Sequence, residues 1–323
     1  MKTEPRLANY LPKALVVEEV IYTGSLSRVY KGRDTETGES VIVKFVENGY
    51  EDVFNAEVEA LTAIQERSET GFPNIILQKE IPEGYLLVQD YLGDNLFDMF
   101  LCSPVDFTKR RICQIAIQVL RRLEAVHNAG YIHRDIKPEN FLAGVQEGLD
   151  KVFLIDFGLA KRYIDAEGNH IKEKLASDVC GTPAFASLNC HNGMELSRRD
   201  DLISLFYVLV WFAKDKLPWS KARIIRNINK IKASKQRHSL TRLCKGLPRC
   251  FLTFAEAISA LKFKDQPDYG RMIHGFQDFI LAQGLGSVAD SKRMSSGPAG
   301  LTGKVDVVAQ PVSLEDSQDQ TTE

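Results

Sequence analysis

The sequence predicts an α+β protein in which the strands come first and the helices follow, and three observations carry this. The first ninety residues hold short β-branched runs bounded by turn residues, with one helical stretch among them. Beyond Gly93 the apolar residues recur at helical spacing instead. The composition, 44% hydrophobic and 26% charged over 323 residues, is that of a folded globular chain with material for about two units of roughly 150 residues.

Taken in order, Val16, Val17, Val20 and Ile21 form a first strand that ends at Thr23-Gly24-Ser25. Val29-Tyr30 opens a second strand, and Val41–Val46, compact and β-branched, is a third. Phe54, Val58, Leu61 and Ile64 fall on one face of a helix over 51–66. Ile75–Leu77 and Tyr85–Val88 are two more strands around Pro82-Glu83-Gly84. Helices follow over Asn95–Leu101 and Phe107–Asn128, the second with Ile112, Ile115, Val119, Leu123 and Val126 as its stripe. A buried helix starts near Arg199, and helical segments continue to Leu285. From Ser287 onward there is no aromatic residue, and Ser, Gln, Gly, Asp and Thr dominate, so a disordered tail is expected over 286–323.

Several classes are excluded. Lys2, Glu4, Arg6 and Lys13 interrupt any signal-peptide core. The longest apolar stretch, Leu202–Ala213, is shorter than the roughly 20 residues a membrane helix needs. Six scattered cysteines without C-x-x-C spacing read as reduced thiols, and a cytoplasmic or nuclear setting is expected. The net charge of −2 argues against a dedicated nucleic-acid binder.

The chemistry is carried by four motifs in order. His133-Arg134-Asp135-Ile136-Lys137-Pro138-Glu139-Asn140 matches the protein-kinase catalytic loop H-R-D-x-x-x-x-N. Asp156-Phe157-Gly158 follows it, and upstream stand Val41-Ile42-Val43-Lys44 and Glu57. Phosphoryl transfer asks for positioning and charge neutralisation, and these residue types supply both. Lys44 offers a point charge to the α/β phosphates and pairs with Glu57. Asn140 and Asp156 offer oxygens to Mg²⁺. Asp135 would orient the acceptor hydroxyl and take its proton, with Lys137 neutralising the phosphoryl group.

The chain resembles the casein kinase 1 family through Ile155-Asp156-Phe157-Gly158-Leu159-Ala160-Lys161, Ser197-Arg198-Arg199-Asp200-Asp201-Leu202, Leu217-Pro218-Trp219, Cys244-Lys245-Gly246 and Gln266-Pro267-Asp268-Tyr269. Ala186-Ser187-Leu188-Asn189 stands where most kinases have Ala-Pro-Glu. The resemblance implies a bilobal kinase domain over 15–285, with an N-lobe of 15–91 and a C-lobe of 92–285. It further implies ATP between the lobes and Ser/Thr protein substrates. On this basis the nucleotide would contact Ile21, Tyr22, Gly24, Val29, Ile42, Lys44, Glu57, Gln89, Asp90, Leu92, Leu142 and Ile155. Asp201 would support the catalytic loop, and Gln89, at the gatekeeper position, would either bond Lys44, Glu57 or the adenine amine or stand solvated at a strand end.

The sequence also departs from the pattern. The loop G-x-G-x-x-G-x-V falls on Tyr22, Gly24, Ser27 and Val29, and only the middle glycine survives. Ile42 replaces the usual alanine above the adenine. Ala184 and Asn227 stand where that family has basic residues for phosphorylated substrates. Between Lys216 and Ala255 lie Lys216, Lys221, Arg223, Arg226, Lys230, Lys232, Lys235, Arg237, Arg242, Lys245 and Arg249, with no Asp or Glu. Such a strip fits acidic or phosphorylated protein substrates or the chain's own tail, the plain alternative being a solvated helix-and-loop face. With only Trp219, Phe251 and Phe254 for base stacking, nucleic acid is disfavoured, and no membrane partner is expected. Ser177 and Thr182 lie in the activation segment and could be phosphorylated, although by the resemblance phosphorylation there is not generally required. The reading is an ATP- and Mg²⁺-dependent Ser/Thr kinase; the alternative is a weakly active or inactive kinase-fold scaffold, motivated by Tyr22, Ser27 and Ile42.

Overall fold

The structure, a computed structural model, describes residues 7–24, 26–145, 148–176, 180–220 and 227–284. Its N-terminal part is a five-stranded antiparallel sheet, β1 Leu15–Thr23, β2 Ser27–Asp34, β3 Ser40–Glu47, β4 Ile75–Ile81 and β5 Gly84–Asp90, in the order β1-β2-β3-β5-β4. Alternation within β3 sends Val41, Val43 and Phe45 into one cluster with Tyr30, Leu86 and Val88, and turns Ile42 and Lys44 to the other face. Helix α1, Glu51–Gln65, covers that second face. Its buried side holds Phe54, Leu61 and Ile64, as the spacing predicts, together with Ala60 and Glu57, while Val58, predicted on the same face, is half-buried. A carboxylate in an apolar stripe is costly unless it is paired, and here β3 supplies the partner.

The C-terminal part is helical. Helix α2, Leu96–Cys102, starts where Asn95 accepts the Asp98 N–H at 2.8 Å. Helix α3, Lys109–Asn128, starts where Thr108 accepts the Arg111 N–H at 3.2 Å. Helix α4, Leu188–His191, precedes α5, Arg198–Lys214, which is enclosed on nearly all sides and ends at Asp215 in the left-handed region, φ 57°. Helices α6 Ile228–Arg237, α7 Leu240–Leu243, α8 Arg249–Ser259 and α9 Tyr269–Gly284 complete it. One core cluster runs through α3, α5, α8 and α9 and reaches Ala60, Leu61 and Ile64 of α1, which ties the two parts together. Two small ribbons, β6 Tyr131–Ile132 with β9 Lys161–Arg162 and β7 Phe141–Gly144 with β8 Gly148–Leu154, frame the loops between the parts. Among the described residues no helix is long and apolar enough to cross a membrane. Ser25, Ser177, Lys221, Arg223, Arg226 and the tail over 286–323 lie outside the described residues.

Candidate active site

Lys44, on the inner face of β3, donates to Glu57 Oε2 at 2.5 Å and to Asp156 Oδ1 at 2.8 Å. Burial opposes the ammonium charge, but Asp156 and Glu57 outweigh it and hold the pKa of Lys44 above the usual lysine range. Burial likewise disfavours the Asp156 carboxylate, yet Lys44 and Lys137 hold its pKa well below the usual range. One oxygen of Asp156 is engaged by Lys44, and its side chain is 41% exposed toward the cleft. Gln89 settles the two alternatives left by the sequence. It is buried rather than solvated, and its Nε2 donates to Glu57 Oε1 at 3.4 Å. The Glu57 carboxylate is therefore held from two strands at once.

The loop 133–140 is fixed from below by Asp201 of α5. Its Oδ2 accepts the His133 N–H at 2.8 Å, its Oδ1 accepts the Arg134 N–H at 2.9 Å, and His127 Nε2 lies 2.9 Å from Oδ2. His133 packs edge-on to Phe157, with Nε2 3.0 Å from Ile155 O. Arg134 sits in the left-handed region, φ 68°, and donates Nε–H to Leu159 O at 2.6 Å. These contacts present Asp135. Its Oδ2 accepts from Lys137 Nζ at 2.7 Å, and Asn140 Nδ2 donates to its carbonyl at 2.9 Å. Burial works against the Lys137 charge, but Asp135 and Asp156 push its pKa up to about 12.

Sequence reasoning assigned no contact to Thr182. Its N–H and Oγ–H both donate to Asp135 Oδ1, each at 2.8 Å. The approach requires Gly181, whose φ is 85° and where a Cβ would lie 2.4 Å from Arg134 O. Downstream, Ser187 Oγ and Asn189 Nδ2 donate to Asp200 Oδ1 at 2.7 and 2.9 Å, so the Ser-Leu-Asn sequence anchors its segment to the start of α5. Lys235 corrects the basic strip. It is 3% exposed, a buried residue rather than part of a surface available to substrate, because Pro183 O and Ala186 O accept its ammonium. Lys216, Lys230, Arg237, Arg242, Lys245 and Arg249 are exposed.

The remaining nucleotide candidates line the cleft unequally. In the degenerate loop the Gly24 N–H donates to Ser27 O at 2.9 Å, closing a hairpin and engaging an amide that a phosphate would need. Tyr22 leans on that turn, since a Cβ on Gly24 would lie 2.6 Å from its hydroxyl. Ile21 and Tyr22 are about half exposed. Val29 lies opposite Lys44, and Ile42 lies opposite Gln89. Leu92 is buried, and Leu142 and Ile155 are half-buried on the C-terminal side. The Asp90 carboxylate accepts Asn74 N–H at 3.1 Å and Asn74 Nδ2–H at 2.6 Å, and the Asp90 N–H returns to Asn74 O at 3.4 Å. The donor set suits a hard cation: one exposed carboxylate on Asp156 and the amide oxygen of Asn140, whose nitrogen is already engaged.

A five-stranded lobe, a helical lobe and a cleft between them with a lysine held by two carboxylates define a phosphotransferase of the protein-kinase class. A family model for the protein kinase domain matches residues 15–263. The chain belongs to the protein kinase family, whose members in general use ATP and Mg²⁺.

Proposed function

We propose that the protein is an active Ser/Thr protein kinase of the casein kinase 1 type that phosphorylates acidic protein substrates. The observation that carries this is the engaged geometry of the charged set: Lys44 bridges Glu57 and Asp156 while Lys137 bonds Asp135. Of these five charged groups Lys44, Glu57 and Asp135 are buried, and burying charges is costly unless the arrangement serves a function.

On this reading Asp135 orients the acceptor hydroxyl and takes its proton on Oδ2, the oxygen that Thr182 does not hold and that Lys137 shares. Lys137, charged throughout the physiological range, neutralises the transferring group beside it. Lys44 holds the nucleotide phosphates, and Glu57 with Gln89 keeps it aimed. Asn140 and Asp156 would hold Mg²⁺, which supplies further neutralisation of phosphate charge when bound. Lysine two residues after Asp135 supports a Ser/Thr rather than a tyrosine acceptor, and the exposed cations of α6–α8 support an acidic substrate. The sequence around Ser187 and Asn189 supports the casein kinase 1 type.

Asp135→Asn is expected to lower phosphorylation of casein by about 10²–10⁴-fold while Mg-ATP still raises the melting temperature. Equal activity of mutant and wild type would remove Asp135 from the reaction. The hairpin bond from Gly24 to Ser27 favours a second reading, a kinase-fold scaffold. Absence of any thermal stabilisation of the wild type at millimolar Mg-ATP would establish that reading instead.

A further inference from the structure

Buried lysines are rare unless a carboxylate pairs with them. Lys235 of α6 is 3% exposed, and the hydrogen-bond partners of its ammonium among the described residues include no carboxylate. Its Nζ donates to Pro183 O at 2.8 Å and to Ala186 O at 2.5 Å, and lies 3.1 Å from His191 Nε2. Three donors thus meet three acceptors. The charge also faces the rings of Tyr207 and Trp219, 4.9 and 5.3 Å from their centroids. Burial and the neighbouring Lys235 push His191 down to about 4, so it serves as a neutral acceptor. These dipoles and π-faces stand in place of an anion and offset the burial of the ammonium only in part, so burial lowers the pKa of Lys235 well below the usual lysine range.

What it solvates is the segment beside the reacting groups. Thr182 donates twice to Asp135 Oδ1, and Phe185 and Ala186 N–H both return to Thr182 O at 2.9 Å. Trp219 Nε1 donates to Ala184 O at 2.7 Å. The carbonyls of Pro183, Ala184 and Ala186 are therefore all drawn toward α6 and Trp219. Phe185 and Ala186 are buried, while Gly181–Ala184 stay half-exposed. A protein acceptor whose hydroxyl reaches Asp135 must lay its neighbouring residues over that half-exposed turn.

We infer that Lys235 is a positioning residue for the protein substrate, its ammonium fixing the 182–186 turn as the platform on which the chain flanking the acceptor lies. The inference rests on the kinase reading above. An apolar residue of the same volume would fill the space without the desolvation cost, but it would leave two carbonyls without donors. The lysine has no contact with Lys44, Glu57 or Asp156, so its effect is confined to the peptide side.

The test is Lys235→Met in the full chain, with steady-state kinetics on casein and on ATP, and amide hydrogen exchange. The variant is expected to raise KM for casein by about tenfold, the loss of one charge-assisted hydrogen bond, with KM for ATP unchanged. Exchange should rise over 180–187 and stay unchanged over 40–60. Casein KM unchanged, or both KM values rising together, overturns the inference. If the wild type transfers no phosphate, the kinase reading fails and carries this inference with it; an active wild type with unchanged casein KM refutes the inference alone. If Lys235→Met does not fold, His191→Leu removes one acceptor of the same ammonium. It is expected to give the same split at about threefold, and its absence overturns the inference equally.

Discussion

Asp201→Asn removes one charge and changes no volume, and its consequences can be worked from the structure. The carboxylate accepts three hydrogen bonds: His133 N–H and His127 Nε2 on Oδ2, and Arg134 N–H on Oδ1. An amide has one accepting oxygen, so in either flip one backbone N–H of the loop faces an NH₂ donor. Hydrogen bonds to a buried charged group contribute about 1.5–3 kcal/mol each, and one survives in part, so a loss of about 2–4 kcal/mol is expected. For a domain of this size that is a fall of about 5–15 °C in melting temperature. Arg134 has a second stake in the pair, since its left-handed φ of 68° stores strain that the Asp201 bond offsets. Once released, Arg134 and the adjacent Asp135 lose their fixed position, and kcat should fall by more than tenfold at temperatures where the variant stays folded. The pH dependence has a definite sign. Burial works against the Asp201 carboxylate, but the His127 hydrogen bond and charge outweigh it and lower its pKa. Its stabilisation is therefore present above the unfolded value near 3.8 and lost as pH falls through the native one. Urea denaturation across pH 3–7 with casein kinetics at pH 7 provides the assay. A change under about 1 kcal/mol with kcat unchanged would refute the claim that Asp201 holds the loop.

Gln89→Leu keeps the volume and removes the 3.4 Å bond to Glu57; a rise of about threefold in KM for ATP, with casein KM unchanged, is expected from steady-state kinetics. Lys137 has a native pKa raised to about 12, so its contribution is complete below the unfolded value of 10.5 and lost only as pH rises through 12. Any alkaline fall in activity below pH 10 should therefore be unchanged in Lys137→Arg, which a pH–rate profile checks. Charge reversal of the exposed Lys230 and Arg237 should raise KM for casein and flatten its dependence on salt; an unchanged salt slope would remove this surface from substrate attraction.

Much of the fold could be read in advance because its causes are local. Val41–Val46 is β-branched and compact, and β3 spans it. The stripe of Ile112, Ile115, Val119, Leu123 and Val126 is the buried face of α3. The change from short β-branched runs to helical spacing near Gly93 marks the boundary between sheet and helices. Glu57 shows where this reading stopped. It stands beside Val58 on the helix, and nothing in the spacing says that the carboxylate, rather than the valine, lies deepest. Lys235 shows it again, since among eleven Lys and Arg residues it carried no mark of its own.

By itself the sequence determined the order of strands and helices, the protein kinase family, and the identity of the charged residues Lys44, Glu57, Asp135, Lys137 and Asp156 with the amide of Asn140. Those depend on periodicity and on motif spacing, which are properties of neighbouring residues. Only the tertiary structure decided that Lys44 reaches Asp156 across 112 residues of chain, that Gln89 turns inward to Glu57, and that Thr182 donates to Asp135. It alone decided that Lys235 leaves the basic surface for the carbonyls of Pro183 and Ala186. The physical reason is that a buried charge persists only where the completed fold supplies its partners, and those partners come from segments far apart in the chain.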